Sequence, residues 1–169
     1  MSGAPSDAGR RALVTGGASG IGAAIVRRLC SDGMEVTFCD IDRAGGEALA
    51  RETGAAFSPL DATDIPAVER FFHDRGGFDV LVNNVGVDQH AFFTDTGPED
   101  WRALIAVNLE TAFAFTRGAL PAMQAARYGR IVSIASEAGR LGSKGGAVYA
   151  AAKAGVVGFT RSIARENAR

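Results

Sequence analysis

No apolar run in the sequence reaches the roughly 18 residues that a membrane-spanning helix requires. Cysteine and histidine are scarce: Cys30, Cys39, His73 and His90 are all the chain has. They form no C-x-x-C pair and no Cys/His cluster, which excludes a zinc site. Both cysteines sit in apolar-patterned segments and read as buried free thiols. Excess charge of one sign is missing too, with 18 Lys+Arg against 19 Asp+Glu and a formal net charge of -1. The basic footprint of a nucleic-acid binder is therefore absent. The opening "MSGAPSDAGRR" lacks the apolar core of a signal peptide, and residues 1–10 read as a flexible tail. These absences lead to the expectation of a cytoplasmic protein with neither a nucleic-acid nor a membrane partner. No internal repeat, low-complexity tract or linker divides the 169 residues, so one domain is expected.

What is plentiful is glycine, 22 residues clustered in short motifs, and a regular alternation of apolar runs with helical spacing. "RALVT" (11–15), "EVTFCD" (35–40), a short stretch at 55–58, "FDVLVNN" (78–84) and "GRIVSIAS" (129–136) read as strands. Helical patterns fill the intervals at 21–33, 43–54, 64–77 and from about Pro98, and run from about Val148 to the end. Asp64 suits the N-cap of the third helix, with Pro66 in its first turn. Strand–helix alternation with fully apolar strands implies an α/β fold, a parallel sheet covered on both faces. Right-handed crossovers favour a doubly wound, Rossmann-like sheet of order 3-2-1-4-5. Ligands then bind beyond the strand C-termini, where the order reverses.

The turn after the first strand is "TGGASGIG" (15–22), a G-x-x-x-G-x-G spacing at Gly16, Gly20 and Gly22, with Ser19 and Ile21 between them. Glycine allows the backbone to turn tightly and to approach a pyrophosphate, whose charge then faces free N–H groups at the helix start. The same glycines also suit a tight turn with no ligand. Asp40, 18 residues after Gly22 at the end of the second strand, favours the first reading. A carboxylate there accepts both ribose hydroxyls of an adenosine and repels a 2′-phosphate, so NAD is expected over NADP. Arg43, three residues on, softens that preference.

Tyr149 and Lys153 are spaced i, i+4 on the last helix and project side by side. A phenol ionises near pH 10, and lowering that by about 3 units takes roughly 4 kcal/mol. A nearby ammonium in a poorly solvated cleft works on that scale. A tyrosine so tuned exchanges a proton with a carbonyl/alcohol pair while hydride moves to or from nicotinamide. Ser136, read as the end of the fifth strand, lies at the same sheet edge and can hydrogen-bond the substrate oxygen. Taken alone, Tyr-x-x-x-Lys also describes an ordinary helix-surface pair. The combination with the upstream serine and the glycine turn points to chemistry.

The pieces "TGGASGIG", "FCD", "LDATD", "NNVG", "VNL", "IVSIAS" and "YAAAK" occur in this order across residues 11–169, and with them the chain resembles the short-chain dehydrogenase/reductase family. The resemblance implies an NAD(P)-dependent oxidoreductase that interconverts a secondary alcohol and a ketone. It implies that Tyr149 is the acid/base, that Ser136 orients substrate and that Lys153 also binds the nicotinamide ribose. Asn108 would kink the fourth helix and hold a water that relays protons to Lys153. Asp61 and Ala62 would contact adenine, Asn84 and Gly86 would line the cofactor, and Asn83 would brace the sheet. Within the family, residues 129–155 look most like reductases of 3-oxoacyl thioesters and dehydrogenases of hydroxyacyl-CoA compounds.

Members of the family usually run longer, adding a sixth strand beside the fifth, a Pro-Gly turn, a substrate lid and a seventh strand. A longer parent protein is therefore expected, with residues 11–169 as a C-terminally incomplete dinucleotide-binding domain. The alternative is a dinucleotide-binding protein without turnover, or an inactive fragment. Family members commonly pair helices four and five, and "WRALIAVNLETAFAFTRGALPAM" is apolar nearly all round, so a homodimer or homotetramer is expected. His90, Phe92 and Phe93 lie over the cleft mouth in "VDQHAFFTDTGPEDW", where they touch substrate or simply pack a loop.

Overall fold

The computed structural model describes residues 8–168. Five strands form one parallel sheet: β1 (Arg11–Thr15), β2 (Glu35–Asp40), β3 (Ala56–Pro59), β4 (Val80–Asn83) and β5 (Arg130–Ser133). Their order is β3-β2-β1-β4-β5, as the alternation and the crossover rule require. Register is continuous through the middle of the sheet, with Val14 beside Phe38 on one side and beside Val82 on the other.

Side chains of β1 alternate between two cores. Ala12 and Val14 pack with Val26, Val36, Phe38 and Leu49. Leu13 faces the other way, toward Val68, Phe71, Phe72, Phe115 and Met123. Two helices cover the first face: α1 (Gly20–Ser31) and α2 (Arg43–Thr53). The second face is covered by α3 (Ile65–Arg75) and α5 (Thr111–Ala126). α5 approaches α3 so closely that a Cβ on Gly118 would strike the Phe72 ring. With both sheet faces buried, the inner strands have no polar face, hence their uninterrupted apolar sequence. N-caps start two of these helices: Asp64, as expected, accepts from Ala67 N–H before α3, and Asp42 from Gly45 N–H before α2, each at 3.0 Å.

The long fourth helical pattern is not one regular helix. α4 (Pro98–Ile105) passes into a π-turn at Ala106–Glu110 before α5 begins. Asn108 sits in that turn and donates through Nδ2 to the carbonyls of Leu104 and Val87, both at 3.0 Å. A side chain that competes for a helix carbonyl and for a neighbouring loop widens the turn at that point. Beyond β5 a short α6 (Ala138–Leu141), not anticipated from the sequence, packs on the last helix, α7 (Ala147–Glu166). A Cβ on Gly139 would meet the backbone of Lys153 and Ala154. Among the described residues no helix is long and apolar enough to cross a membrane. Most of the tail at 1–10 lies outside them; of its last residues, Gly9 donates to the Gly33 carbonyl at 2.9 Å.

Candidate active site

The C-terminal ends of β1 and β4 are tied together before any ligand is considered. Thr15 Oγ1 accepts the N–H groups of Asn84 (3.0 Å) and Val85 (3.2 Å). Asn84 Nδ2 returns bonds to the carbonyls of Thr15 (3.0 Å) and Gly16 (2.8 Å). This knot holds the glycine turn against β4. Gly16 and Gly20 have positive φ, 63° and 51°, the left-handed region that favours glycine. A Cβ on Gly22 would run into the Gly16 carbonyl, so that position admits no side chain.

Ser19 is the N-cap of α1, yet its side chain makes no capping bond, and no acidic residue stands in the first turn. The helix start therefore presents uncapped N–H groups and its positive end to the cleft, the arrangement that receives a phosphate. Asp40 lines the same cleft at the end of β2. Its carboxylate accepts from Ala18 N–H at 2.9 Å and Asp42 N–H at 3.0 Å, which fixes it at the end of β2. Arg43 turns toward Glu47, 3.9 Å away.

A cleft of about 660 Å³ runs along this edge. It is lined by Gly16, Ser19, Gly20, Ile21, Asp40, Asp61, Ala62, Asn84, Gly86, Ser136, Tyr149 and Lys153. Gly22 and Asn108 stand behind the wall rather than in it. The turn, the acidic strand end and the uncapped helix thus fit a dinucleotide. Asp61 is held by its own loop, accepting from the N–H and the hydroxyl of Thr63 at 2.8 and 2.7 Å.

The end of the cleft that holds Tyr149 and Lys153 is built on α7. Lys153 is only 4% exposed and donates to the Ile134 carbonyl at 3.0 Å. Burial lowers its pKa from the ordinary lysine value. Its ammonium lies 5.8 Å from the centroid of the Tyr149 ring. Gly86 makes room for it: a Cβ there would stand 3.0 Å from Lys153 Nζ and 2.9 Å from Asn108 Oδ1. Ser136 is not in the strand. β5 ends at Ser133, opposite Asn83, and the next bond, Ile134 N–H to the Asn83 carbonyl, is the last along that edge. Past Asn83 the chain of β4 bends toward Thr15, so nothing remains for residues 135–136 to pair with. Ser136 Oγ instead accepts from Ala138 N–H at 3.2 Å, and its own proton is left for a partner in the cleft.

Asn83 spans the sheet edge, donating to Thr116 Oγ1 at 3.1 Å. Cys39 lies in the cleft wall, but burial pushes its thiol up to about 12, so it stays protonated and unreactive. Cys30 is half-buried rather than buried. In the loop at the mouth Phe93 stacks on Trp101, while His90 and Phe92 are exposed; none of the three lines the cleft. Missed from the sequence are Asp88, Val107, Ile134 and Ala135, cleft residues carried there by the β4 loop, the π-turn and the β5 exit. Gln89 was missed as well. Its only signal was indirect, two glycines before α7 where a capping side chain is usual.

The geometry agrees with the comparisons to known proteins. Residues 10–169 match the family model for short chain dehydrogenase. The D-beta-hydroxybutyrate dehydrogenase of Cupriavidus necator is 39% identical over 170 residues, 95% of this chain and 66% of that protein. The 3-oxoacyl-[acyl-carrier-protein] reductase of Escherichia coli is 37% identical over 164 residues, 94% of this chain and 67% of that protein. A solved metagenomic short-chain oxidoreductase in complex with NADP superposes with a TM-score of 0.90 at 38% identity, covering 95% of this chain and 77% of that one. The chain spans about two thirds of the length of these curated relatives. A parallel 3-2-1-4-5 sheet, a glycine turn at its switch point and a family match over nearly the whole chain lead to one conclusion: the chain belongs to the short-chain dehydrogenase family, whose members bind a nicotinamide dinucleotide.

Proposed function

We propose that residues 11–169 form the dinucleotide-binding and proton-transferring unit of an NAD(P)-dependent oxidoreductase that interconverts a secondary alcohol and a ketone. The observation that carries this reading is a single cleft that holds the glycine turn, Asp40, Ser136, Tyr149 and Lys153 together. The bound nicotinamide supplies or accepts the hydride. Gly16, Gly20 and the uncapped start of α1 hold the pyrophosphate, and Asp40 takes the adenosine ribose.

In the direction of reduction, Ser136 donates a hydrogen bond to the carbonyl oxygen and fixes it beside the phenol of Tyr149. Tyr149 gives that oxygen its proton as the alcohol forms, and takes it back in oxidation. Lys153 stabilises the phenolate by its charge. Its one described bond, to Ile134, leaves further N–H groups for the nicotinamide ribose. NAD is the preferred cofactor, because the Asp40 carboxylate repels a 2′-phosphate and Arg43 is turned to Glu47. The names of the relatives support a hydroxyacyl or oxoacyl substrate, as a thioester or a free acid. The paired Phe113 and Phe159 rings, with centroids 4.6 Å apart and planes tilted by 56°, and the exposure of Phe113 support assembly with a second copy.

Tyr149→Phe tests the reading. NAD-linked turnover on a 3-hydroxyacyl thioester should fall by about 10²-fold or more. Dinucleotide binding, read by protein fluorescence, should stay near the wild-type value. Turnover that survives the change would remove Tyr149 from the chemistry.

A further inference from the structure

The loop between β4 and α4 contains a buried polar side chain that the proton transfer described above does not use. Gln89 is only 7% exposed, between the open side chains of Asp88 and His90. Its Oε1 accepts two backbone N–H groups, from Val148 at 3.0 Å and from Tyr149 at 3.2 Å. Its Nε2 donates to the Ala91 carbonyl at 3.1 Å, and Ala91 N–H donates to the Gly145 carbonyl at 3.1 Å.

These bonds stand where a helix cap belongs. α7 starts after Gly146, which has no side chain to offer, whereas α2 and α3 are capped by their own Asp42 and Asp64. The first N–H groups of a helix have no partner within it. In α7 two of them are satisfied from a loop far upstream in sequence, and one of the two belongs to Tyr149. The same loop is gripped on its other side by Asn108, whose Oδ1 accepts Val87 N–H at 3.1 Å and whose Nδ2 donates to the Val87 carbonyl. The segment 87–91 is thereby stitched both to the π-turn and to the start of α7.

We propose that Gln89 is a positioning residue: its amide caps α7 from outside and fixes the backbone from which the Tyr149 phenol reaches into the cleft. The inference rests on the reading of Tyr149 as acid/base. A displacement of about 1 Å at a reacting group is enough to cost up to about 10² in rate, so a cap bonded to that residue acts on turnover without touching substrate. An amide serves both halves of the link at once, its oxygen toward the helix and its nitrogen toward the loop.

The test uses Gln89→Met, of matching length without an acceptor, and Gln89→Glu, which keeps the acceptor. The chain has two tyrosines, Tyr128 and Tyr149, so labelling tyrosine at its ring Cζ gives two NMR signals, assigned with Tyr128→Phe. In Gln89→Met the Tyr149 signal should move, and amide exchange at Val148 and Tyr149 should quicken about tenfold. Its kcat should drop about tenfold or more with KM for the dinucleotide within about twofold. Gln89→Glu, which keeps the acceptor for Val148 and Tyr149 but loses the donor to the Ala91 carbonyl, should restore slow exchange and recover part of the lost kcat. Should Gln89→Met not fold, Gln89→Asn, the same amide on a shorter arm, takes its place with the same expectations.

Wild-type exchange in Gln89→Met overturns the cap. Faster exchange with unchanged kcat, an equal rise in dinucleotide KM, or no rescue by Gln89→Glu overturns the positioning role. The NMR and exchange readings need no turnover, so they are independent of the Tyr149→Phe result that tests the acid/base reading itself.

Discussion

β4 and β5 lie side by side, each of four residues, paired from Val80 with Arg130 to Asn83 with Ser133. Every residue of β4 is buried, whereas Val132 in β5 is 50% exposed. Both strands read as apolar runs, so the contrast does not come from their own composition. β4 has a strand on either side and helices over both faces. Among the described residues β5 has one strand neighbour, β4.

The difference extends to the cleft above them. At the β4 end the chain is self-sufficient, with Thr15, Asn84 and the glycine turn bonded to one another. At the β5 end Ser136, Tyr149 and Lys153 depend on α6, α7 and the Gln89 loop. The side proposed to hold the dinucleotide is thus tied through its own sheet, and the side proposed to transfer the proton through helices docked on β5.

The sharpest way to break this contrast is to remove the same kind of contact from each strand. Leu81→Ala, at a fully buried site, should cost about 2–5 kcal/mol. Val132→Ala should cost less than about 1 kcal/mol. Urea unfolding midpoints at unchanged slope measure both. Equal losses would mean that the β5 edge is covered in solution.

A smaller effect is expected at the sturdy end of the cleft. Asp40→Asn removes the charge proposed to repel a 2′-phosphate and keeps one of the two oxygens that accept backbone N–H groups. The affinity ratio of NADP to NAD, measured by calorimetric titration, should rise about tenfold, or 1.4 kcal/mol. An unchanged ratio would take cofactor choice away from Asp40.

The smallest change in stability belongs to the other end. Lys153→Met should hold or raise the urea midpoint at pH 7 while turnover is lost, since burial disfavours the charged ammonium. The sign follows from linkage. With the folded pKa lowered, the folded state binds fewer protons than the unfolded chain between that pKa and the ordinary value of 10.5. The burial penalty is therefore fully present below the folded pKa and fades as pH rises toward 10.5. The advantage of Lys153→Met over wild type should shrink across the same range. An advantage that stays constant with pH would contradict a charged, buried Lys153.

The two regions also differ in how much of them was legible in the sequence. The glycine turn and Asp40 lie within one βαβ unit, and local spacing was enough to locate them. Strand order 3-2-1-4-5 followed from alternation and handedness. Ser136 was read as a strand end because "RIVSIAS" stays apolar beyond Ser133, yet pairing stops where β4 bends away toward Thr15. The Asn108 turn sat inside an unbroken helical pattern and was legible only through the family resemblance. Gln89 left almost no trace, since a cap that reaches across 59 residues has no local spacing to betray it.

By itself the sequence determined the kind of sheet, the dinucleotide turn and the Tyr-x-x-x-Lys pair, because each depends on residues within a few turns of one another or on a periodicity along one segment. Only the tertiary structure decided that Val132 is half exposed beside a fully buried β4, that Ser136 stands past its strand, and that a loop glutamine bonds the start of the last helix. Burial, pairing and capping from outside are properties of neighbours, and neighbours distant in sequence exist only once the chain has folded.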